Sequence, residues 1–275
     1  MDETTIGWAS SYETYAIGAA AQRMYDNRDN IRDKFASNFW QRVAKRFKNN
    51  PGILGYELIN EPWIGDKWTI PALRIPSSAD IINLQRFYEY LNDAIREIDN
   101  DTIIFYEPAT GGNYYDATPV GFTHGPGGEA YNSKQSLSFH IYCPFIQSDV
   151  PIGPILKNET LAVCEGGNKD MLRVRVRDIA KLNTSGFLTE FGAIPMTEQG
   201  FELITYMMNL CDEYRIGGWT YWLLNPSGNF DDPNPEVPYL TRTFARKIAG
   251  QLHAMDFDFD SKNFLWCMPL LIKLI

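Results

Sequence analysis

The sequence predicts an α/β fold, a partial (β/α)8 TIM barrel in which five strand–helix units are recognisable. Three observations carry this. Short apolar strands alternate with longer helix-period stretches from Ile53 onward, each strand ends in polar or aromatic residues, and no glycine-rich phosphate turn follows any strand. Alternation implies parallel strands. Chemistry gathered at the C-terminal ends of those strands is the habit of a barrel. The missing phosphate turn speaks against a doubly wound nucleotide-binding sheet.

The elements follow in order. Residues 28–48 read as a helix, with Ile31, Phe35, Phe39, Val43 and Phe47 at four-residue intervals down one face, stopped by Asn49-Asn50-Pro51-Gly52. A strand over 53–59 ends in Asn60-Glu61-Pro62, and a helix over 78–98 leads to a strand over 102–106 ending in Glu107-Pro108. After a long loop rich in Gly, Pro and Tyr, a strand over 137–142 ends in Cys143-Pro144. A helix over 169–182, a strand over 186–191, a helix over 197–214 and a strand over 218–224 complete the series. Met255, Phe257 and Phe259 then alternate with Asp256, Asp258 and Asp260 ahead of Ser261-Lys262-Asn263 and Phe264-Leu265-Trp266, which reads as a β-hairpin. Five strands are too few to close an eight-stranded barrel, so the chain is either truncated at its N-terminus or of odd architecture. The expectation is residues 1–245 as a partial barrel domain and 246–275 as the incomplete start of a C-terminal β domain.

Composition narrows the function. A net charge of −9 over 275 residues argues against nucleic acid, whose phosphates call for clustered Lys and Arg, and against an anionic membrane surface. Seven Trp and fifteen Tyr supply flat rings of the kind that carbohydrate sites use as platforms, although rings also fill cores. Cys143, Cys164, Cys211 and Cys267 lack metal-ligand spacing, so no metal or cofactor is expected; one or two disulfides are allowed and none is required. Asn100, Asn158 and Asn183 head glycosylation sequons. Residues 1–10 lack an apolar signal-peptide core, and the apolar tail 264–275 is too short to span a bilayer, so the chain reads as soluble; a monomer is expected.

Two motifs carry chemistry. Asn-Glu-Pro at residues 60–62 is expected by chance about 0.03 times in a chain of this size, and it stands at a strand end. Glu190, in Leu188-Thr189-Glu190-Phe191-Gly192, ends another apolar strand three strands later. Two carboxylates about 5–5.5 Å apart form the retaining arrangement of glycosidases, one acting as acid/base and the other attacking the anomeric carbon. His140 and Tyr142 lie two apart on a strand and hence on one face, where a Tyr hydroxyl can serve a carboxylate. Trp222 offers a ring face, with Trp219 as its rival; Glu57 reads as an interior structural partner and Glu107 as site lining. The loop Pro62 to Pro71 is apolar enough to line a groove for aliphatic chains, each buried CH₂ contributing about 0.8 kcal/mol, or simply to fold over the barrel.

These residues resemble glycoside hydrolase family 5 (clan A), through Asn60-Glu61-Pro62 on the family's fourth strand, His140-Ile141-Tyr142 on its sixth, Glu190 on its seventh and Trp222 on its eighth. The resemblance runs over roughly residues 30–255. Within the family, the stretches from Gly55 to Trp63 and from Ser138 to Pro144 look most like endoglycoceramidases. The resemblance implies that Glu61 is the acid/base and Glu190 the nucleophile, and that Asn60, His140, Tyr142 and Trp222 bind or orient the substrate. It implies cleavage, with retention, between oligosaccharide and ceramide in glycosphingolipids, in a secreted or lysosomal setting. Another β-glucosidase or β-glucanase of the family, or an inactive glycolipid-binding fragment, are the alternatives. The Arg and the His-containing motif of the family's second and third strands have no counterpart here, and on this reading the 275-residue chain by itself is expected to be inactive and poorly stable.

Overall fold

The computed structural model describes residues 12–110, 117–143, 158–195, 197–223, 235–244 and 254–267. Its elements are helix α1 (Tyr15–Tyr25), helix α2 (31–47), strand β1 (Gly55–Glu57), helix α3 (80–96), strand β2 (Ile103–Tyr106), strand β3 (Gln135–His140), helix α4 (Asn158–Leu182), strand β4 (Ser185–Gly192), helix α5 (Glu198–Glu213), strand β5 (Trp219–Trp222), the short helix α6 (Val237–Leu240), and strands β6 (Ala254–Phe257) and β7 (Phe264–Cys267). The sheet runs β1-β2-β3-β4-β5 in chain order, while β6 and β7 form an antiparallel hairpin of their own. The strand–helix alternation read from the sequence is thus present, with strands in sequence order as parallel units require. Leu224, the 245/246 boundary and the tail beyond Cys267 lie outside the described residues. Among those described, no helix is long and apolar enough to cross a membrane.

Two expectations need correction. Along α2 the fully buried side chains are Ala36, Trp40 and Ala44, whereas Phe39 is half exposed. Steps of four residues advance about 40° around a helix of 3.6 residues per turn, so a strict four-residue stripe drifts off the core. Here Trp40 anchors the inward face, the helix widens into a π turn at Phe35–Trp40, and Phe35, Val43 and Phe47 flank the buried stripe. Helix α4 begins at Asn158, well before the expected 169. The added stretch contains Gly166-Gly167, each Gly costing about 1 kcal/mol relative to Ala in a helix. Leu161, Cys164, Met171 and Leu172 bury one face on both sides of the pair and carry the helix through it.

The chain divides into two compact units, Met1–Phe139 with Val174–Phe187, and His140–Arg173 with Leu188–Ile275. The first is organised around β1 and β2, which pair in parallel with Gly55 opposite Ile103 and Glu57 opposite Phe105; β2 pairs in parallel with β3. Gly55 is required by this closeness, because a Cβ there would collide with the Phe105 ring and the Ile103 carbonyl. Tyr56, Leu58, Leu84, Phe87, Tyr88, Leu91, Ile95, Ile104 and Tyr106 form its core with Trp40. β3 is buried along almost its whole length, as strands of a parallel sheet are when both faces are covered. Its buried Ser138 hydroxyl donates to Glu57 Oε1 at 2.5 Å, which makes Glu57 the interior partner the sequence suggested.

In the second unit β4 pairs in parallel with β5, and α5 buries Leu203, Ile204, Met207, Met208 and Cys211. Thr197 caps α5 by accepting from Gly200 N at 3.2 Å. The hairpin joins this unit by a stack of rings, Phe201 on Tyr239 with centroids 4.0 Å apart and Tyr239 on Phe259 at 5.7 Å. A disulfide links Cys143, just beyond β3, to Cys164 in α4, with Cα atoms 5.4 Å apart, and Cys211 and Cys267 are free thiols.

The turn into β2 is held by Asp99, which is nearly buried. Its carboxylate accepts from the Asp101 and Thr102 amides, from the Thr102 hydroxyl at 2.7 Å and from the Tyr56 hydroxyl at 2.7 Å. Burial alone would raise the Asp99 carboxyl, but the hydrogen bonds outweigh it and hold it at about 2. Burial, with Asp99 beside it, pushes the Tyr56 phenol up to about 12. A carboxyl depressed on folding adds stability above its unfolded value of about 3.9, and that contribution disappears as pH falls toward the folded value. Asp99→Asn is expected to cost about 1–2 kcal/mol near neutral pH. Urea unfolding should show the gap between variant and parent closing from about pH 4 down to about pH 2.

Candidate functional site

Residues 58–62 follow β1 and are fixed from the end of β2. Leu58 N donates to Phe105 O at 3.1 Å, Thr110 N donates to Pro62 O at 2.7 Å, and Trp63 forms an isolated parallel bridge with Thr110. Between Glu57, opposite Phe105, and Trp63, opposite Thr110, one strand runs one residue longer than the other. The surplus is taken up in a bulge carrying Asn60 and Glu61, the kind of irregularity that re-aims a side chain at a strand end. Glu61 adopts the left-handed region, with φ +43°, a conformation that costs a non-glycine residue about 1–3 kcal/mol. Its N–H donates to Glu107 Oε2 at 2.9 Å. Asn60 is exposed and Glu61 half-buried.

Glu107 itself is buried, and its backbone carbonyl accepts from the buried Tyr88 hydroxyl at 2.8 Å. Sequence reasoning gave Glu107 a lining role; its contact with the Glu61 amide was not legible, because it depends on the bulge. The Pro62–Pro71 loop folds inward more than a groove would need. Trp63 and Ile64 pack with Leu73 and Ala79 in a small core, and Trp68 is half exposed. A cavity of about 410 Å3 beside the loop is lined by Ile64, Trp68, Leu73 and Ile75 together with Lys67 and Arg74.

In the second unit three of the sequence-predicted residues come together. Tyr142 donates its hydroxyl to Glu190 Oε2 at 2.7 Å, and His140 Nδ1 lies 3.4 Å from the same oxygen. The His140 and Tyr142 rings meet edge to face with centroids 6.4 Å apart, as two residues on one face of an extended segment should. The backbone beneath them is tied as well, since Ile141 N donates to Glu190 O at 3.0 Å. Side-chain exposure is only 9% for His140 and 18% for Glu190, so this cluster works in a largely dry setting where each hydrogen bond is strengthened.

β4 is also irregular at its carboxylate. Leu188 pairs with Trp219 and Phe191 with Tyr221, so the extra residue falls at Thr189-Glu190. Gly192 then sits at φ +144° with Ala193 N donating to Trp222 O at 2.6 Å; a Cβ on Gly192 would fall on that carbonyl oxygen. This close approach explains the small residue after Glu190-Phe191. The peptide bond between Trp222 and Leu223 is cis, and the Trp222 side chain is half exposed. Its rival Trp219 instead packs edge to face on Phe191, centroids 5.7 Å apart, which leaves Trp222 as the ring offered to solvent.

A family model described as Cellulase (glycosyl hydrolase family 5) matches residues 5–228. Among curated proteins, an endoglycoceramidase of Hydra vulgaris is 34% identical over 275 residues, covering 96% of this chain and 48% of that protein. An endoglycoceramidase of Cyanea nozakii is 32% identical over 273 residues, covering 94% and 49%. The chain spans about half the length of these curated relatives. Among solved structures, endo-glycoceramidase II from Rhodococcus sp. as a lactosyl-enzyme intermediate aligns with a TM-score of 0.63 at 19% identity, covering 86% of this chain and 51% of that one. The ganglioside GM3 complex of endo-glycoceramidase II from Rhodococcus sp. aligns with a TM-score of 0.60 at 21% identity, with the same coverage. At such identities the likeness is one of fold, and it agrees with the partial barrel read from the strand–helix alternation. The family model matches most of the sequence: the chain belongs to glycosyl hydrolase family 5.

Proposed function

We propose that this chain carries the catalytic residues of a retaining glycosidase that releases oligosaccharide from ceramide in glycosphingolipids. The observation that supports this best is the paired contact on one Glu190 oxygen, the Tyr142 hydroxyl at 2.7 Å and His140 Nδ1 at 3.4 Å. A carboxylate oxygen held by donors is aimed in one place, which is what a nucleophile at an anomeric carbon needs. The ceramide part of the proposal rests on the relatives named as endoglycoceramidases.

The chemistry runs in two steps. Glu190 attacks the anomeric carbon as Glu61 gives its proton to the departing ceramide oxygen, leaving a covalent glycosyl–enzyme. Glu61, now a base, takes a proton from water, which attacks the anomeric carbon, frees Glu190 and restores the original configuration. Asn60 holds the 2-hydroxyl, a contact that strengthens in the transition state, and Trp222 supplies a platform beneath the sugar.

In the full-length protein, Glu190→Gln should abolish turnover, because no carboxylate remains to attack. Glu61→Gln should suffer most on substrates with poor leaving groups, and azide should restore rate with an activated aryl glycoside by giving the β-glycosyl azide. Azide rescue absent from Glu61→Gln would remove it as the acid/base. Tyr142→Phe removes a hydrogen bond to a charged group, worth about 1.5–3 kcal/mol, and should slow kcat about 10- to 100-fold. Incubated with a ganglioside and, separately, with a soluble β-glucan, the protein should yield intact oligosaccharide and ceramide from the first. Glucan hydrolysis without ganglioside cleavage would sink the lipid assignment and leave a β-glucanase.

A further inference from the structure

We propose that Glu107 is a positioning residue for Glu61: its buried carboxylate fixes the backbone of the acid/base by accepting its N–H. This rests on Glu61 acting as proposed above. Glu61 needs fixing more than an ordinary strand residue does. It stands in a bulge, at φ +43°, and precedes Pro62, whose ring restricts the conformations open to it. Backbone bonds close the bulge at Leu58 and at Pro62, and the Glu61 amide lies between them, past the end of regular pairing. Glu107 Oε2 accepts that amide at 2.9 Å.

The acceptor is itself anchored. Glu107 directly follows β2, and its carbonyl takes the Tyr88 hydroxyl at 2.8 Å from α3. The next turn is pinned by Asp80, whose carboxylate accepts Ala109 N and Gly121 N, both at 2.7 Å. A carboxylate only 3% exposed is costly to bury unless it is hydrogen-bonded. Its placement against the amide of the very residue that must transfer protons gives it a task beyond packing. Glu107 acts through where it holds Glu61.

The experiment compares Glu107→Gln, Glu107→Met and the parent as full-length proteins. The Gln carbonyl can still accept the Glu61 N–H, so Glu107→Gln should stay within about threefold of the parent. Met has similar volume and no strong acceptor. Because a displacement of about 1 Å can cost about 100-fold, Glu107→Met should lose about 30- to 100-fold in kcat on the natural glycolipid, with little change in KM. It should also copy Glu61→Gln in one diagnostic respect: on an activated aryl glycoside, azide should recover most of the lost rate. Comparable kcat loss on both substrates without azide rescue would show a merely structural role and overturn the proposal, as would a Glu107→Met enzyme equal to the parent. Glu61→Gln is run alongside. Full activity in that control would overturn the assignment of Glu61 itself; loss and rescue there, with neither in Glu107→Met, would overturn the Glu107 inference alone.

Discussion

Parallel backbone pairing, and the points at which it is interrupted, govern where the chemistry of this chain can sit. A regular ladder dictates every side chain by its period of two, and it leaves no freedom to aim one residue at a ligand. Glu61 and Glu190 both stand where the ladder gains an extra residue, one beyond β1 and the other within β4. Each interruption is closed by backbone bonds on its far side, Thr110 N to Pro62 O in one unit and Ala193 N to Trp222 O in the other. The strands supply rigidity and the bulges supply direction. Both carboxylates therefore stand where the ladder is irregular, near the C-terminal ends of their strands.

The two carboxylates are held in different ways. Glu190 is held at its side chain, through the Tyr142 hydroxyl and His140, with Ile141 N on its carbonyl. Glu61 is held at its amide by Glu107. If Glu190 is the nucleophile and Glu61 the acid/base, the difference has a physical reason. A nucleophile must present one charged oxygen in one place, and donors aimed at that oxygen pre-order it. An acid/base must give a proton in one step and take one in the next, and Glu107 places the backbone that carries it.

Strand positions and the strand-end motifs were readable because periodicity and Asn-Glu-Pro are local signals. His140 and Tyr142 were readable too, since a spacing of two in an extended segment puts both on one face, although the strand itself stops at His140. The Glu107 contact was not, because it depends on how much surplus chain the bulge contains, and nothing in Glu107-Pro108 encodes that. The inward face of α2 was misread for a related reason. Phe39 and Trp40 are adjacent large aromatics, and the π turn at Phe35–Trp40 decides which of them reaches the core.

The disulfide adds a constraint that spacing alone could not supply. Cys143 follows Tyr142 directly, so the bond to Cys164 anchors to α4 the very segment that carries the Glu190 partner. Beyond His140 the strand has ended, and a side chain there would otherwise depend on a loop for its position. Tyr142 is therefore fixed from both sides, by Ile141 N on the Glu190 carbonyl before it and by a covalent link after it. A hydroxyl that must stay within hydrogen-bond reach of one carboxylate oxygen gains from this, because a bond to a charged group weakens steeply as its angle and distance drift. The arrangement places stiffness one residue away from the contact that needs it.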